Sequence, residues 1–455
     1  MHHSEKQAVW SLSSIYALRM LGLFMLYPVL TSQSGQIIGA TGFLLGLALG
    51  IYGLTQACLQ IPFGFLSDRV GRKPIIITGL ILLALGSVIA ALSHHIGGII
   101  LGRALQGAGA IGSSVTALVA DLTADERRLQ AMAKVGITIA LSFCIAIVLG
   151  PLMNGWLGLS SIFWLTAILA LVGIGVVVGI VPTPPKTVHH QADQPALSQF
   201  GYVLKHNELL RLDWGIFVLH AVLAAMFVGL PVAITHLANL DTQHQWFIYL
   251  PVLLLAFVAM VPCVIIAESK RQMRKVFLSS IMALLISQIL LLFFHHSLWG
   301  IAILLWLFFT GFIVLEATLP SLVSKTAPLE SKGTALGVYS TAQFLGIFVG
   351  GSAGGVAFHH SGLTGVFSLS AALILIWLIA AAFMAPIRYV STQIKSLKAI
   401  DSTDYTQLVN ELKHQPGVSE AMADEVDQEL RLKVDKALFD EYKLQQILDR
   451  YQTST

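Results

Sequence analysis

Charge is scarce in this sequence. Asp, Glu, Lys and Arg together make up 11% of 455 residues, against about 25% in an ordinary soluble domain. Hydrophobic residues make up 56% and the mean hydropathy is +0.78, so the bilayer is the expected solvent. The net charge of +3 is too small to suggest a nucleic-acid surface, and where the basic residues fall matters more than their sum. Cysteine is nearly absent as well. Cys58, Cys144 and Cys263 lie far apart, each inside an apolar run, with no CxxC. That pattern argues against a disulfide framework or a thiolate metal site, and leaves them as small packing residues. Nor is there a nucleophile–base pair, a phosphate loop or a metal-ligand cluster at a workable spacing. No enzyme, cofactor or resident metal is therefore expected. A cleavable signal is not expected either: the run Trp10–Leu30 has spanning length and lacks a small-x-small site after a short core.

What the sequence does have is long apolar runs. A spanning helix needs about 20 mostly apolar residues. Twelve segments qualify: 10–31, 40–66, 74–93, 96–121, 131–155, 159–182, 212–238, 244–267, 275–295, 297–323, 333–358 and 362–385. Lys and Arg gather in alternate connections: Arg69, Arg72 and Lys73; Arg127, Arg128 and Lys134; Lys186 and Lys205; Lys270, Arg271, Arg274 and Lys275; Lys325 and Lys332. The connections between them hold none. They carry Thr31 to Gln36, His94-His95, Asp241, His295-His296 and His359-His360 instead. By the positive-inside rule, both termini are expected in the cytoplasm.

The expected organisation is a six-helix bundle (1–182), a cytoplasmic linker (183–210), a second six-helix bundle (211–386) and a cytoplasmic tail domain (387–455). The linker is marked by Pro182, Pro184, Pro185, His189 and His190. An internal repeat supports two halves. Gly64–Lys73 recurs weakly as Ile266–Lys275, and Gly150-Pro151-Leu152-Met153-Asn154-Gly155 has a glycine-rich counterpart at Gly350 to Gly355. Two repeated halves around a midplane cavity are a common transporter plan. In the tail, 389–397, 418–423 and 429–434 read as strands, and 404–414 and 441–451 as helices, with Pro416-Gly417 as a stop. Strand-helix-strand-strand-helix suggests a small ferredoxin-like domain, with a marginal fourth strand at 451–455. The Gln415-Pro416-Gly417-Val418 turn resembles that of heavy-metal-associated domains. The loop Lys398 to Thr403, where those domains carry cysteines, has none, so metal binding does not carry over.

Ionisable residues at membrane depth are costly and mark function by default. Four stand out: Arg19 in the first segment, Arg103 in the fourth, His220 in the seventh and Glu316 in the tenth. They line a cavity, bind an anionic group or carry a proton; alternatively they pair and only hold helices together. Asp121 ends the fourth segment, either as a partner of Arg72 or Arg69 or as a solvated charge beside Asp125 and Glu126. In the fifth segment Gly150, Pro151 and Gly155 predict a kink and close helix packing. Gly107-Ala108-Gly109-Ala110-Ile111-Gly112 fits GxGxxG. It is expected inside one membrane helix, so packing and not dinucleotide binding explains it. The histidine pairs could ligate metal or sense pH, and interfacial polar loops explain them equally well.

The most informative stretch is Gly64-Phe65-Leu66-Ser67-Asp68-Arg69-Val70-Gly71-Arg72-Lys73-Pro74, a short charged loop between two membrane-length runs. Gly64 and Gly71 permit unusual backbone geometry, and Asp68 and Arg72 stand four residues apart. This string resembles the loop between the second and third helices of the major facilitator superfamily. Arg103 with Gln106 to Ala110 resembles the superfamily's fourth-helix motif, and Arg19 to Pro28 its first-helix motif. Gly150-Pro151 with Gly155 resembles its antiporter motif, although Ala146 and Asn154 stand where glycines are usual. The resemblance covers 10–385. It implies an all-α membrane fold of twelve helices in two pseudo-symmetric bundles, joined here to the α+β tail. It further implies proton-driven alternating access in a bacterial inner membrane. Asp68 would face the start of the eleventh segment near Lys332 to Ala335, and Arg72 would bridge to Asp121. With Gly64, Arg69, Gly71 and Lys73, these residues would form an inner-face latch. Glu316, and with it Arg103, His220 and Arg19, are the proton-coupling candidates. The expected activity is export of small amphipathic compounds in exchange for protons, with a regulatory or self-associating tail. The alternatives are a nutrient symporter or facilitator, and a transporter-like sensor that signals through the tail.

Overall fold

The computed structural model describes residues 3–123, 125–182, 201–238, 244–328, 331–384, 390–397, 402–424, 429–435 and 438–452. Most of the linker and the loop 398–401 lie outside them. Among the described residues nine helices are long and apolar enough to cross a membrane.

Helix α1 (His3–Phe24) ends before the apolar run does. The expected helix to residue 31 gives way to turns after Phe24, where Tyr27 N donates to Phe24 O and Val29 N to Leu26 O, both at 3.2 Å. Pro28 is the cause: it has no N–H, and its ring clashes with the carbonyl four residues back. Helix α2 (Gly42–Val70) is capped by Thr41, whose hydroxyl accepts from Leu44 N at 3.2 Å. Its 29 residues span about 44 Å at 1.5 Å per residue, so it outruns a hydrocarbon core of about 30 Å. It stops at Gly71, whose φ of +107° suits glycine alone, and α3 (Arg72–Leu92) starts at once.

The fourth expected segment is not one helix. It is α4 (Ile96–Ala108) and α5 (Gly112–Asp121), separated at Gly109–Ile111. GxGxxG therefore straddles a helix break, which corrects the expectation of one continuous helix. Close packing does explain the glycines. A Cβ on Gly107 would lie 2.2 Å from the Tyr52 carbonyl oxygen, and one on Gly109 2.2 Å from that of Gly79.

Helix α6 (Asp125–Leu157) stays helical through Pro151, and Gly158 separates it from α7 (Leu159–Gly179). The remaining spans are α8 (Asn207–Ala238), α9 (Trp246–Ser269), α10 (Met273–Phe294), α11 (Leu298–Thr326) and α12 (Lys332–Ala382). Gly362, with φ +57°, breaks α12 at the first residue of the expected segment 362–385. Of the apolar window in α8, 89% is buried, against 22% in α9. Helix α8 is thus a central element. Helix α9 exposes Leu254, Leu255, Val258, Val261 and Ile265, the side chains a lipid-facing helix needs.

The chain divides into two compact units. The first, Met1–His190 with Arg211–Leu319 and Gly337–Met384, holds most of the membrane helices. The second contains Gln191–Leu210, Pro320–Leu336 and Ala385–Thr455. Its tail portion is β1 (Val390–Ser396), α13 (Ser402–Lys413), β2 (Val418–Asp424), β3 (Glu429–Asp435) and α14 (Glu441–Gln452), with an antiparallel sheet in the order β1-β3-β2. That is the ferredoxin-like order without its last strand. Tyr451 and Gln452 are helical, so they do not start a fourth strand, and 453–455 lie outside the described residues. Helical spacing buries Tyr405, Leu408 and Leu412 of α13 and Leu444, Ile447 and Leu448 of α14 against the alternating Leu430, Leu432 and Val434 of β3.

Lys433 breaks that alternation. Its side chain is 4% exposed, and its amine donates to the Ala327 carbonyl at 2.6 Å and to Glu420 at 3.2 Å. Ala327 follows the end of α11, so the tail sheet grips the connection that leads into α12. Lys433→Met removes the donor that the Ala327 carbonyl accepts from, a loss of about 1–3 kcal/mol. Amide exchange of β2 and β3 in the full chain should accelerate; unchanged protection would show that the contact carries no weight.

Candidate functional site

The charged loop builds a clamp around Arg72. Its Nε donates to Asp121 Oδ2 at 3.1 Å and its Nη1 to Ser67 Oγ at 2.8 Å, and Nη1 also meets Asp68 Oδ1. One guanidinium thus ties the end of α2, the start of α3 and the end of α5. Lys73 donates to the Val181 carbonyl beyond α7. The side chain of Asp68 is half exposed and Arg69 is exposed. The open Arg72–Asp68 pair contributes about 0–1 kcal/mol, while the Arg72–Asp121 pair is more enclosed. Gly64 lets α2 approach Ser113 of α5.

Further inside the N-terminal half, Arg19 of α1 and Arg103 of α4 are both 1% exposed. Their guanidinium carbons lie 5.6 and 4.9 Å from the centroid of the Tyr52 ring on α2. Such contacts contribute about 0.5–2 kcal/mol each. Arg19 Nη2 donates to Gln56 Oε1, and Gln56 in turn donates to Gln60 at 3.0 Å. Arg103 donates to the Ala48 carbonyl at 3.3 Å and to Gln106 at 2.9 Å, and Gln106 donates to Ser87 at 2.7 Å.

The C-terminal half holds the opposite sign. Gln343 of α12 places its amide nitrogen 2.8 Å from His220 Nε2 on α8 and 3.4 Å from Glu316 Oε1 on α11. A Gln amide nitrogen only donates, so His220 Nε2 accepts. Its proton then sits on Nδ1, which reaches the Ile216 carbonyl at 3.3 Å. Glu316 Oε2 lies 3.8 Å from His220 Nε2, and 32% of the Glu316 side chain remains accessible. Asp213, near the start of α8, is buried with neither oxygen hydrogen-bonded among the described residues.

The two halves meet along α2 and α12. A Cβ on Gly46 would lie 2.1 Å from the Gly351 carbonyl oxygen, and one on Gly53 2.3 Å from that of Phe344. Gly42 faces Gly355, and Gly50 faces Phe348. The Tyr27 ring lies tilted against that of Phe227 at 5.4 Å, and the Thr31 hydroxyl donates to the Phe227 carbonyl at 3.3 Å. Phe143 of α6 lies 6.0 Å from Phe312 of α11. The α2–α12 contacts run from the middle of the bundle to the end away from the basic loops. Gly150 packs on the Met25 carbonyl, Pro151 is buried, and Gly155 is exposed.

The pairing of Asp68 with Arg72 is readable from their spacing; the places of Asp213 and Gln343 are not. Asp213 stands one residue inside the seventh apolar segment and reads as an interfacial charge. Gln343 is a neutral residue whose importance appears only when α8 and α11 face it. The stripe Gly42, Gly46, Gly50 and Gly53 carries a small-xxx-small signal that announces close helix approach, though not the identity of the helix it meets.

Helix count, the paired halves and this loop define a membrane transporter fold. The Major Facilitator Superfamily profile matches residues 12–351 and 269–418, and the chain belongs to that family. It is 42% identical over 448 residues to the inner membrane transport protein YajR of Escherichia coli (strain K12), a match that spans 98% of both chains. The multidrug resistance protein MdtH of Proteus mirabilis (strain HI4320) is 25% identical over 349 residues, 74% of this chain and 83% of that one. A crystal structure of a D-xylose-proton symporter superposes with a TM-score of 0.68 over 85% of this chain and 99% of its own, at 14% identity. That last likeness concerns the fold. The chain is a multi-pass transporter of the bacterial inner membrane.

Proposed function

We propose that this transporter exports small amphipathic compounds in exchange for protons by alternating access. The bundles 1–182 and 211–386 move about the linker 183–210, both termini are cytoplasmic, and 387–455 is a regulatory domain. The observation that carries the proposal is the Glu316–Gln343–His220 network. Glu316 and His220 are the proton carriers, while Arg19 and Arg103 keep their charge and act through their field.

The network also supplies a lever. An imidazolium has no lone pair for the Gln343 amide, and a protonated Glu316 is a weaker acceptor, so a proton on either loosens Gln343. Its neighbour Phe344 is the residue whose carbonyl meets Gly53 across the two halves. A proton thereby biases the crossing of α2 and α12. The membrane potential adds about 2.3 kcal/mol per elementary charge per 100 mV, enough to tilt states a few kcal/mol apart. The grip of Lys433 on Ala327 motivates the regulatory reading of the tail.

The loop is the proposed latch of the other state, in which Asp68 sits at the start of α12, where the helix dipole favours negative charge. Asp68→Asn should slow the switch between states while substrate affinity stays within about twofold, a change of about 0.4 kcal/mol. Single-turnover flux beside equilibrium binding checks this; an affinity loss equal to the flux loss would count against the latch. Coupling itself is tested by flux under an imposed pH gradient, and flux direction under that gradient separates export from import.

A further inference from the structure

Among the described residues, the N-terminal half contains enclosed hydrogen-bond donors without a partner. Arg19 Nε and Nη1, Arg103 Nη2 and the hydroxyls of Tyr27 and Tyr52 are enclosed and have no hydrogen-bond partner among the described residues. They belong to one neighbourhood. Both guanidinium groups lie against the Tyr52 ring, and Tyr27 is within electrostatic reach of Arg103. Neither arginine pairs with an Asp or Glu among the described residues. The buried Asp213 and His220 lie on α8 in the other half, with the partly accessible Glu316 of α11 beside His220.

Two buried guanidinium charges without a counter-charge are expensive, because each has lost its water. The neutral acceptors around them, Gln56, Gln106 and the Ala48 carbonyl, take up only part of their donor capacity. What remains is a set made almost wholly of donors with a net positive charge. The complementary ligand presents several acceptor oxygens and a negative charge, and a guanidinium fork matches a planar or tetrahedral oxyanion. The surroundings are aromatic: Tyr52 faces Phe344 at 6.4 Å and Tyr27 faces Phe227 at 5.4 Å.

We infer that Arg19, Arg103, Tyr27 and Tyr52 form an anion subsite, and that the transported compound is an organic acid with an apolar body and a carboxylate, sulfonate or phosphate head. The head is held between the two arginines beside Tyr52, and the body lies along the aromatic contact between the halves. The proposal rests on the transport reading only in treating this interior as part of the route. Its test uses no gradient, so failure of proton coupling and failure of the subsite remain separate results.

The full chain in lipid nanodiscs is titrated at one pH with 4-phenylbutyrate beside its neutral amide, and with benzenesulfonate beside methyl phenyl sulfone. The shift in thermal unfolding midpoint reports binding. At least one acid is expected to bind about tenfold or more tighter than its neutral partner, the fold-change of a charge-assisted hydrogen bond. Arg19→Gln and Arg103→Gln should each remove most of that preference. Equal binding of acid and neutral partner, no shift with either acid, or an acid preference that survives both substitutions would overturn the proposal. A lowered ligand-free midpoint with the preference intact would assign the arginines a structural role only. The comparison of acid with neutral partner in the unsubstituted protein decides the matter even if a variant fails to fold.

Discussion

Gly46→Val should reduce transport to background while the protein still folds and inserts. The Cβ of any residue at 46 would lie 2.1 Å from the Gly351 carbonyl oxygen and 2.9 Å from Gly355 Cα. Both are backbone atoms of a packed helix, so no side-chain rearrangement makes room. Protein interiors have no spare volume of that size, and α2 and α12 must separate. The halves then cannot meet at the end away from the basic loops, and a cycle that needs this closure stalls. Spin labels on the ends of α2 and α12 nearest that contact should show a longer and broader distance distribution than in the unsubstituted protein. Gly175→Val is the control, since nothing lies within 4 Å of a Cβ there; it should transport normally. Full activity of Gly46→Val would mean that the α2–α12 contact is no part of the cycle.

Glu316→Gln should lower proton-driven flux about tenfold or more, the usual scale for a positioned proton-transfer group. The substitution keeps the size of the side chain and an oxygen to accept from Gln343, but removes the proton-binding site. Binding and exchange of cargo without net proton movement should therefore persist, and only uphill transport should fail. If exchange and uphill flux fall together, Glu316 holds the bundle or the cargo and does not carry the proton. His220 separates the two carriers: His220→Asn keeps a polar partner for Gln343, and uphill flux that survives it would leave Glu316 as the sole carrier.

Much of this architecture is legible in the order of residues, because membrane helices are set by local composition. Gly71 with Arg72 announces the tight α2–α3 turn, and the spacing of Tyr405, Leu408 and Leu412 announces α13. What is not legible depends on encounters through space. Close backbone contacts at Gly107 and Gly109 accompany the break between α4 and α5. The arginines are visible in the sequence as costly charges. That both lie against one tyrosine ring, with donors left over, follows only from the packing of α1, α2 and α4. Likewise Gln343 acquires meaning from His220 and Glu316, which stand 123 and 27 residues away in sequence.

In the proposed cycle a proton moving through the Glu316–His220 site drives cargo uphill. This coupling is tested most directly by proteoliposomes carrying a pH-sensitive dye in the lumen, given an imposed pH gradient and a panel of small amphipathic acids and cations. At least one compound should move against its own gradient, with proton movement in the opposite direction, and Glu316→Gln should abolish both. Flux of no compound under the gradient, or proton-linked flux that Glu316→Gln leaves unchanged, would contradict it.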